Sequence, residues 1–316
     1  MALKIFLDPR CGGHRGYFPL AERPARLDAL ADLFAALGHS VHAAPPATRE
    51  MLEAAHDPAY VAHVAASSRR RIAGQLGDFA ASLASPYLQW YLRPMAGTWE
   101  AATRAAGAVC QAVDEAAASP RYRAFCAVRP PGHHAGPARG EGFCFFNNVA
   151  VGALRAAGRG LRVAIVDFDH HHGNGTQAVV ESRGRGDVLL VSSHYAGCKY
   201  ARRSGAPARS SEVVAIPVPA GSRMAEVGAL YRARAIPALR AFQPDLLMIS
   251  AGFDMHKDDP LSSIRMESAD YFELTRMLVD AAAETGCDRV VSVLEGGYRG
   301  EALREGVAHH LRALEQ

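Results

Sequence analysis

Short apolar runs bounded by Gly, Pro or Asp alternate along this chain with longer Ala- and Leu-rich stretches of helical period. The runs at 4–7, 41–44, 125–128, 163–168, 188–192, 213–217, 246–250 and 290–294 are too continuous to face water on either side, which predicts strands buried on both faces of a sheet. Between them the spacing predicts helices at 24–37, 48–55, 58–65, 98–118, 148–157, 224–241, 268–285 and 301–314. Strand and helix alternating in this way predict an α/β protein with a central, mostly parallel sheet flanked by helices. We expect one catalytic domain over 1–316. The stretches 71–94 and 195–211 are too long for tight connections and are expected to shape a ligand site.

In open parallel sheets, ligands sit beyond the carboxyl ends of the strands. The reactive residues follow that rule: Val128 is followed by 129–134, Val166 by 167–172, Ile249 by 250–254 and Leu294 by 295–298. The second of these clusters holds Asp167, Asp169, His170, His171 and His172, with Gly173-Asn174-Gly175 behind them. Side chains two apart on an extended chain point the same way, so Asp169 and His171 can close on one ion. Asp254, just past Gly252, offers a third ligand from another strand. Two carboxylates and one imidazole leave a fourth position open, the arrangement of a catalytic zinc site rather than a structural one.

In Pro130-Pro131-Gly132-His133-His134, the prolines stiffen a turn that presents two adjacent imidazoles. They can share the work of activating a water and protonating a leaving amine if different partners set their protonation apart, and Asp167 and Asn174 are candidates for those partners. Gly296 and Gly297 let the backbone approach a ligand and present Tyr298, whose phenol can donate to a developing oxyanion. Gly142 and Phe143 are candidates for a narrow apolar channel. Each cluster has a plainer reading when taken alone: a surface loop for the histidines, a turn for Asp254, a packed ring for Tyr298 and core for the aromatic run.

Composition narrows the picture further. No apolar stretch approaches the roughly 20 residues of a membrane-spanning helix, and the N-terminus lacks the pattern of a cleaved leader, so we expect a cytoplasmic protein. The six cysteines are scattered, which predicts reduced thiols rather than a disulfide framework or metal ligands. A net charge of +3 and the short runs Arg69-Arg70-Arg71 and Arg202-Arg203, without interleaved aromatics, argue against a nucleic-acid partner.

In the same order along the chain, these clusters resemble those of the histone deacetylase and acetylpolyamine amidohydrolase superfamily. The likeness runs from Arg23-Pro24-Ala25-Arg26-Leu27 and His56-Asp57-Pro58-Ala59-Tyr60 through Gly97-Thr98-Trp99-Glu100 to Leu294-Glu295-Gly296-Gly297-Tyr298. It implies the arginase/deacetylase fold with an eight-stranded sheet, and zinc or ferrous iron held by Asp169, His171 and Asp254. It also implies proton transfer by His133 and His134, carbonyl polarisation by Tyr298, and Phe143 on the acyl-amine tunnel. Asn174 and Gly173 make the segment resemble class II and bacterial members. A structural potassium ion near Asp167, Asp169, His171 and Ser192 is a further implication.

The departures lie in the loops. Tyr200 is the candidate second wall of the tunnel, and Leu261 stands where polyamine-selective relatives place a glutamate. The implied substrate is a small acylated amine or an acyl-lysine peptide, in a protein that can form a homo-oligomer. Two rivals stay open at this point: an arginase-like ureohydrolase, for which the Gly173-Asn174-Gly175 segment lacks the extra carboxylates, and a metal-binding sensor of acylated ligands.

Overall fold

The computed structural model describes residues 3–15, 21–68, 87–88, 92–204 and 211–316, with the side chains of 202–204 left out. Most of the 71–94 stretch, the three arginines at 69–71, and the 205–210 part of the second irregular stretch lie outside the described residues. Eight strands form one sheet: β1 (Lys4–Phe6), β2 (Val41–His42), β3 (Tyr122–Cys126), β4 (Val163–Asp167), β5 (Val188–Tyr195), β6 (Val213–Val218), β7 (Leu246–Ala251) and β8 (Arg289–Leu294). Their order across the sheet is β2-β1-β3-β8-β7-β4-β5-β6, and every pairing is parallel.

Alternate residues of the central strands feed two separate apolar layers, as the strand period of two requires. Val163 and Ile165 of β4, with Leu246 and Met248 of β7, pack under the helices Pro58–Ser68, Thr98–Ala117 and Asn148–Ala157. Ala164 and Val166, with Leu247 and Ile249, pack under Ala25–Ala36, Met224–Leu230, Asp270–Ala283 and Gly300–Glu315. Helices cover both faces, which is why the strands read as unbroken apolar runs.

At its carboxyl edge the sheet changes character. Asp167 pairs in register with Ser192 on one side and Ser250 on the other, and Ser250 pairs with Val293, one strand over and two residues before Glu295. Asp167, Ser192, Ser250 and Glu295 are all fully buried. A polar floor therefore closes this end of an otherwise apolar sandwich.

Several elements differ from the sequence expectation: strand β2 is only Val41–His42, exposed at the sheet edge, and a helix, Lys199–Ser204, stands in the stretch read as irregular. Strand β3 begins at Tyr122, earlier than 125, because its polar opening residues reach their heads to the amino edge. Tyr122 Oη donates to Glu115 Oε2 at 2.8 Å, and Arg123 donates to the Asp288 carbonyl. The helix Asn174–Arg183 was not expected, since Gly173 and Gly175 at its start read as loop and it buries Thr176 and Gln177 beside Val179 and Val180. The stretch expected as one helix over 224–241 carries a π-helical segment, Tyr231–Ala235, where the Tyr231 hydroxyl meets Ser193 Oγ at 2.7 Å. All six cysteines are free and buried. Among the described residues, no helix is long and apolar enough to cross a membrane.

Candidate active site

The floor collects the predicted ligands. One ligand atom each from Asp169, His171 and Asp254 lie within 4.8 Å of one another. His171 Nδ1 is 3.2 Å from Asp169 Oδ1 and 3.1 Å from Asp254 Oδ2. Atoms about 2.0–2.2 Å from a tetrahedral zinc stand roughly 3.3–3.5 Å apart, so this spacing suits one small cation. The backbone holds the carboxylates in place: Asp169 Oδ1 accepts from the His171 N–H at 2.8 Å, Asp169 Oδ2 from the Gly296 N–H at 2.8 Å, and Asp254 Oδ1 from the His170 N–H at 2.9 Å.

Gly252 and Gly296 are required by close approach. A Cβ on Gly252 would stand 2.2 Å from Asp169 Oδ2, and one on Gly296 would stand 2.5 Å from both Asp169 Oδ2 and Asp254 Oδ2. Gly296 thus backs the carboxylate pair itself. The donor set of two carboxylates and one imidazole, with glycine on its flank, fits a divalent metal with an open position.

His133 and His134 stand beside this cluster with ring centroids 4.0 Å apart, and their partners differ as expected. His133 Nδ1 is 3.0 Å from Asp167 Oδ2, so Nδ1 donates and Nε2 faces Asp169 Oδ1 at 3.7 Å. Burial alone would lower the pKa of His133, but the Asp169 and Asp167 carboxylates outweigh it and raise it to about 10. His134 Nδ1 is 2.6 Å from Asn174 Oδ1, and Asn174 Nδ2 donates to Glu141 Oε1 at 2.5 Å. Because the amide nitrogen is committed to a carboxylate, its oxygen faces His134, and the imidazole carries its proton on Nδ1. Burial and the neighbouring charges of His133 and His171 push the His134 pKa well below the usual value. The floor therefore sets one imidazole toward the charged form and the other toward the neutral form.

Tyr298 is buried, and burial followed by the charges of Asp254 and Asp169 keeps its phenol protonated. The Arg26 guanidinium lies 5.0 Å from its ring centroid and donates to the carbonyls of Gly297 at 2.6 Å and Glu295 at 2.5 Å. The Phe143 ring meets Tyr298 edge-on at 5.8 Å. Phe143 holds a left-handed backbone at φ 68°, a strained conformation for a residue with a side chain, and Gly142 before it presses so close that a Cβ would reach 2.0 Å from His134 Cδ2. Tyr200 stacks on His134 at 3.9 Å and meets His171 edge-on at 6.0 Å. Every predicted residue except Leu261 is thereby joined to the cluster by a contact. Leu261 is 39% exposed, and its N–H donates to Asp259 Oδ1 at 3.0 Å.

Several supporting residues escaped the sequence reading. Glu295 is fully buried and accepts from the N–H groups of Gly132 at 2.6 Å and His133 at 3.1 Å, tying the histidine turn to the tyrosine loop. Burial raises its pKa to about 7. Arg129, fully buried, and Glu22, buried, form an ion pair, with Arg129 Nη2 2.7 Å from Glu22 Oε2. Asp259 accepts from the backbone of the tyrosine loop. In the sequence, Glu295 stood inside the quoted tyrosine motif, but nothing marked it as a support.

Residues 20–314 match the histone deacetylase domain family. The chain is 39% identical over 238 residues to a type-2 histone deacetylase 2 of Dictyostelium discoideum, a match covering 68% of this chain and 14% of that relative's length. It is 35% identical over 292 residues to a histone deacetylase-like amidohydrolase of Pseudomonas aeruginosa, covering 90% of this chain and 73% of the relative. The fold superimposes on the crystal structure of an acetylpolyamine aminohydrolase from Burkholderia pseudomallei with a TM-score of 0.83 at 26% identity, covering 99% of this chain and 98% of that one.

Proposed function

Because the chain belongs to the histone deacetylase domain family, we propose that it is a zinc-dependent amidohydrolase that removes an acetyl or similar small acyl group from an acylated amine such as acetyl-lysine or an acetylpolyamine. The observation that carries this reading is the convergence of Asp169, His171 and Asp254 on one point, flanked by a histidine pair with unlike partners. Asp169, His171 and Asp254 would hold the metal, which when bound supplies Lewis-acid polarisation of a carbonyl and eases ionisation of water. A structural potassium ion near Asp167, Asp169, His171 and Ser192, where backbone oxygens would suit a hard cation, belongs to the same reading.

The chain's own groups divide the remaining work. His134, held neutral with its proton on Nδ1, presents Nε2 as the base that takes a proton from water. His133, favoured in its protonated form by Asp169 and Asp167, supplies a proton to the departing amine nitrogen. The Tyr298 hydroxyl donates to the acyl oxygen as negative charge develops there. Phe143 and Tyr200 bracket the acyl-amine chain, and the buried floor excludes water from the reacting bond.

Turnover of acetyl-lysine peptides, acetylated polyamines and longer acyl-lysines, measured with metal analysis of the same sample, tests the reading. Hydrolysis of at least one class at one zinc per chain is expected. Tyr298→Phe lowers turnover by roughly a hundredfold or more, the scale of losing one oxyanion donor. A metal-loaded protein inert toward the whole panel, or full activity in Tyr298→Phe, would sink the reading.

A further inference from the structure

The phenol of Tyr298 is aimed by a backbone that has little stiffness of its own. Gly296 and Gly297 precede it, and Gly297 sits at φ 112°, where only glycine is at ease. Outside contacts hold this loop instead. Gly296 donates to Asp169, and the carbonyls of Glu295 and Gly297 accept from Arg26. The N–H of Tyr298 itself donates to Asp259 Oδ2 at 2.6 Å, and the Arg299 N–H follows at 3.3 Å.

Asp259 is buried, and its two oxygens do different things. Oδ1 accepts from the Leu261 N–H at 3.0 Å, a local turn that Asp makes readily before proline. Oδ2 leaves that turn altogether and crosses 39 residues of sequence to the tyrosine loop. The turn at 259–261 does not need that second bond; the tyrosine does, because it is the one charge-assisted bond made to its own peptide N–H.

We propose that Asp259 is a positioning residue for the reaction: it fixes the backbone of Tyr298 so that the phenol points at the acyl oxygen. The inference rests on the role given to Tyr298 above. A carboxylate bond of this kind, lost from a hinge of two glycines, leaves the phenol sampling orientations in which it donates to nothing, so turnover falls while substrate binding holds.

The test is a cycle of Asp259→Ala and Asp259→Asn, each made in the natural protein and in Tyr298→Phe. Asp259→Ala is expected to lower kcat by about tenfold to a hundredfold, with KM changed less than about threefold. Asp259→Asn keeps a carbonyl acceptor and falls between. In Tyr298→Phe the same Asp259→Ala change costs about twofold or less, because the group it positions is already gone. An equal loss in both backgrounds, a loss confined to KM, or no loss overturns the proposal; where Asp259→Ala does not fold, the Asp259→Asn cycle is read the same way. Failure of the functional reading looks different, since the natural protein would be inert or Tyr298→Phe fully active. In that event crystal structures of the natural protein and Asp259→Asn decide the positioning claim: a displaced phenol supports it and an unmoved one overturns it.

Discussion

At the floor of the site, Asp167, Asp254 and Glu295 are fully buried and Asp169 nearly so, and each has at least one oxygen tied to a backbone N–H or an imidazole. At the margin the means are different: Phe143 and Tyr200 touch the floor through ring contacts, and Leu261 is partly in water. Hydrogen bonds to buried charges are directional and costly to break, whereas ring stacking tolerates sliding. The floor can therefore hold charges where a reaction needs them, and the margin can vary with the substrate.

The largest effect is expected from the ligands. Asp254→Asn removes one charge from the cluster and leaves a weak ligand facing Asp169 and His171. Metal content should fall, and turnover should drop by about a thousandfold or more, since several kcal/mol of carbonyl polarisation are at stake. One metal per chain with near-normal turnover would mean that the cluster is structural and that the floor is not where the chemistry happens.

A smaller effect separates the two histidine partners. Asp167→Asn removes one of the two carboxylate charges that favour the protonated form of His133, and the one bonded to its Nδ1, and loss of a carboxylate behind an imidazole typically costs about tenfold to a hundredfold. Asn174→Ala removes a neutral partner and should cost less, because the bond it breaks is not charge-assisted on the histidine side. Steady-state turnover of the two variants at one pH checks the order; a larger loss in Asn174→Ala would exchange the roles assigned to His133 and His134.

Much of the floor was legible in the sequence because it lies where buried strands run out. Asp169, His171, His133 and Tyr298 each follow an apolar run, and the rule for parallel sheets places such residues at one edge. The supports were not legible. Glu295 sits inside the tyrosine motif, yet its partners are backbone N–H groups of another strand's exit, and backbone donors leave no mark on composition. Asp259 carried no signal for the same reason: its partners are the N–H groups of Tyr298 and Arg299. The helix Asn174–Arg183 was hidden by glycines that admit the histidine turn: a Cβ on Gly175 would stand 2.4 Å from the His134 carbonyl carbon.

Beneath the floor, His310 shows what an imidazole does when no carboxylate reaches it. It is fully buried between Thr275 Oγ1 at 2.6 Å and Ser292 Oγ at 2.8 Å, and burial lowers its pKa to about 3. His56 is likewise pushed down to about 4 by burial. Both stay neutral in the folded protein while the unfolded chain takes up a proton near pH 6.5. The unfolded state then binds more protons, so stability falls as pH drops from 6.5, and the loss levels off only near pH 4 for His56 and pH 3 for His310. Urea unfolding from pH 7 to pH 4 should show this decline, and His310→Gln should reduce its slope by up to about 1.4 kcal/mol per pH unit. An unchanged slope would mean that His310 is already solvated in the folded protein.

The smallest effect is expected at the margin, and it tests the other half of the comparison. Leu261 is the exposed apolar residue next to the Asp259-Pro260 turn, whose Asp259 bonds the tyrosine loop, so Leu261→Glu adds a solvated charge on that side without replacing a floor residue. In water two unit charges about 4 Å apart attract by only about 1 kcal/mol, so the gain for a cationic acetylpolyamine over a neutral acetyl-lysine peptide should be about fivefold or less. It should appear in KM rather than kcat, because a distant charge acts on ground state and transition state alike. It should also fade as salt is raised from low ionic strength to about 1 M, where the Debye length falls to about 3 Å, below the separation of the charges. A change in kcat, or a preference insensitive to salt, would show that the margin is coupled to the floor through packing, and that substrate choice and chemistry are not separable in this protein.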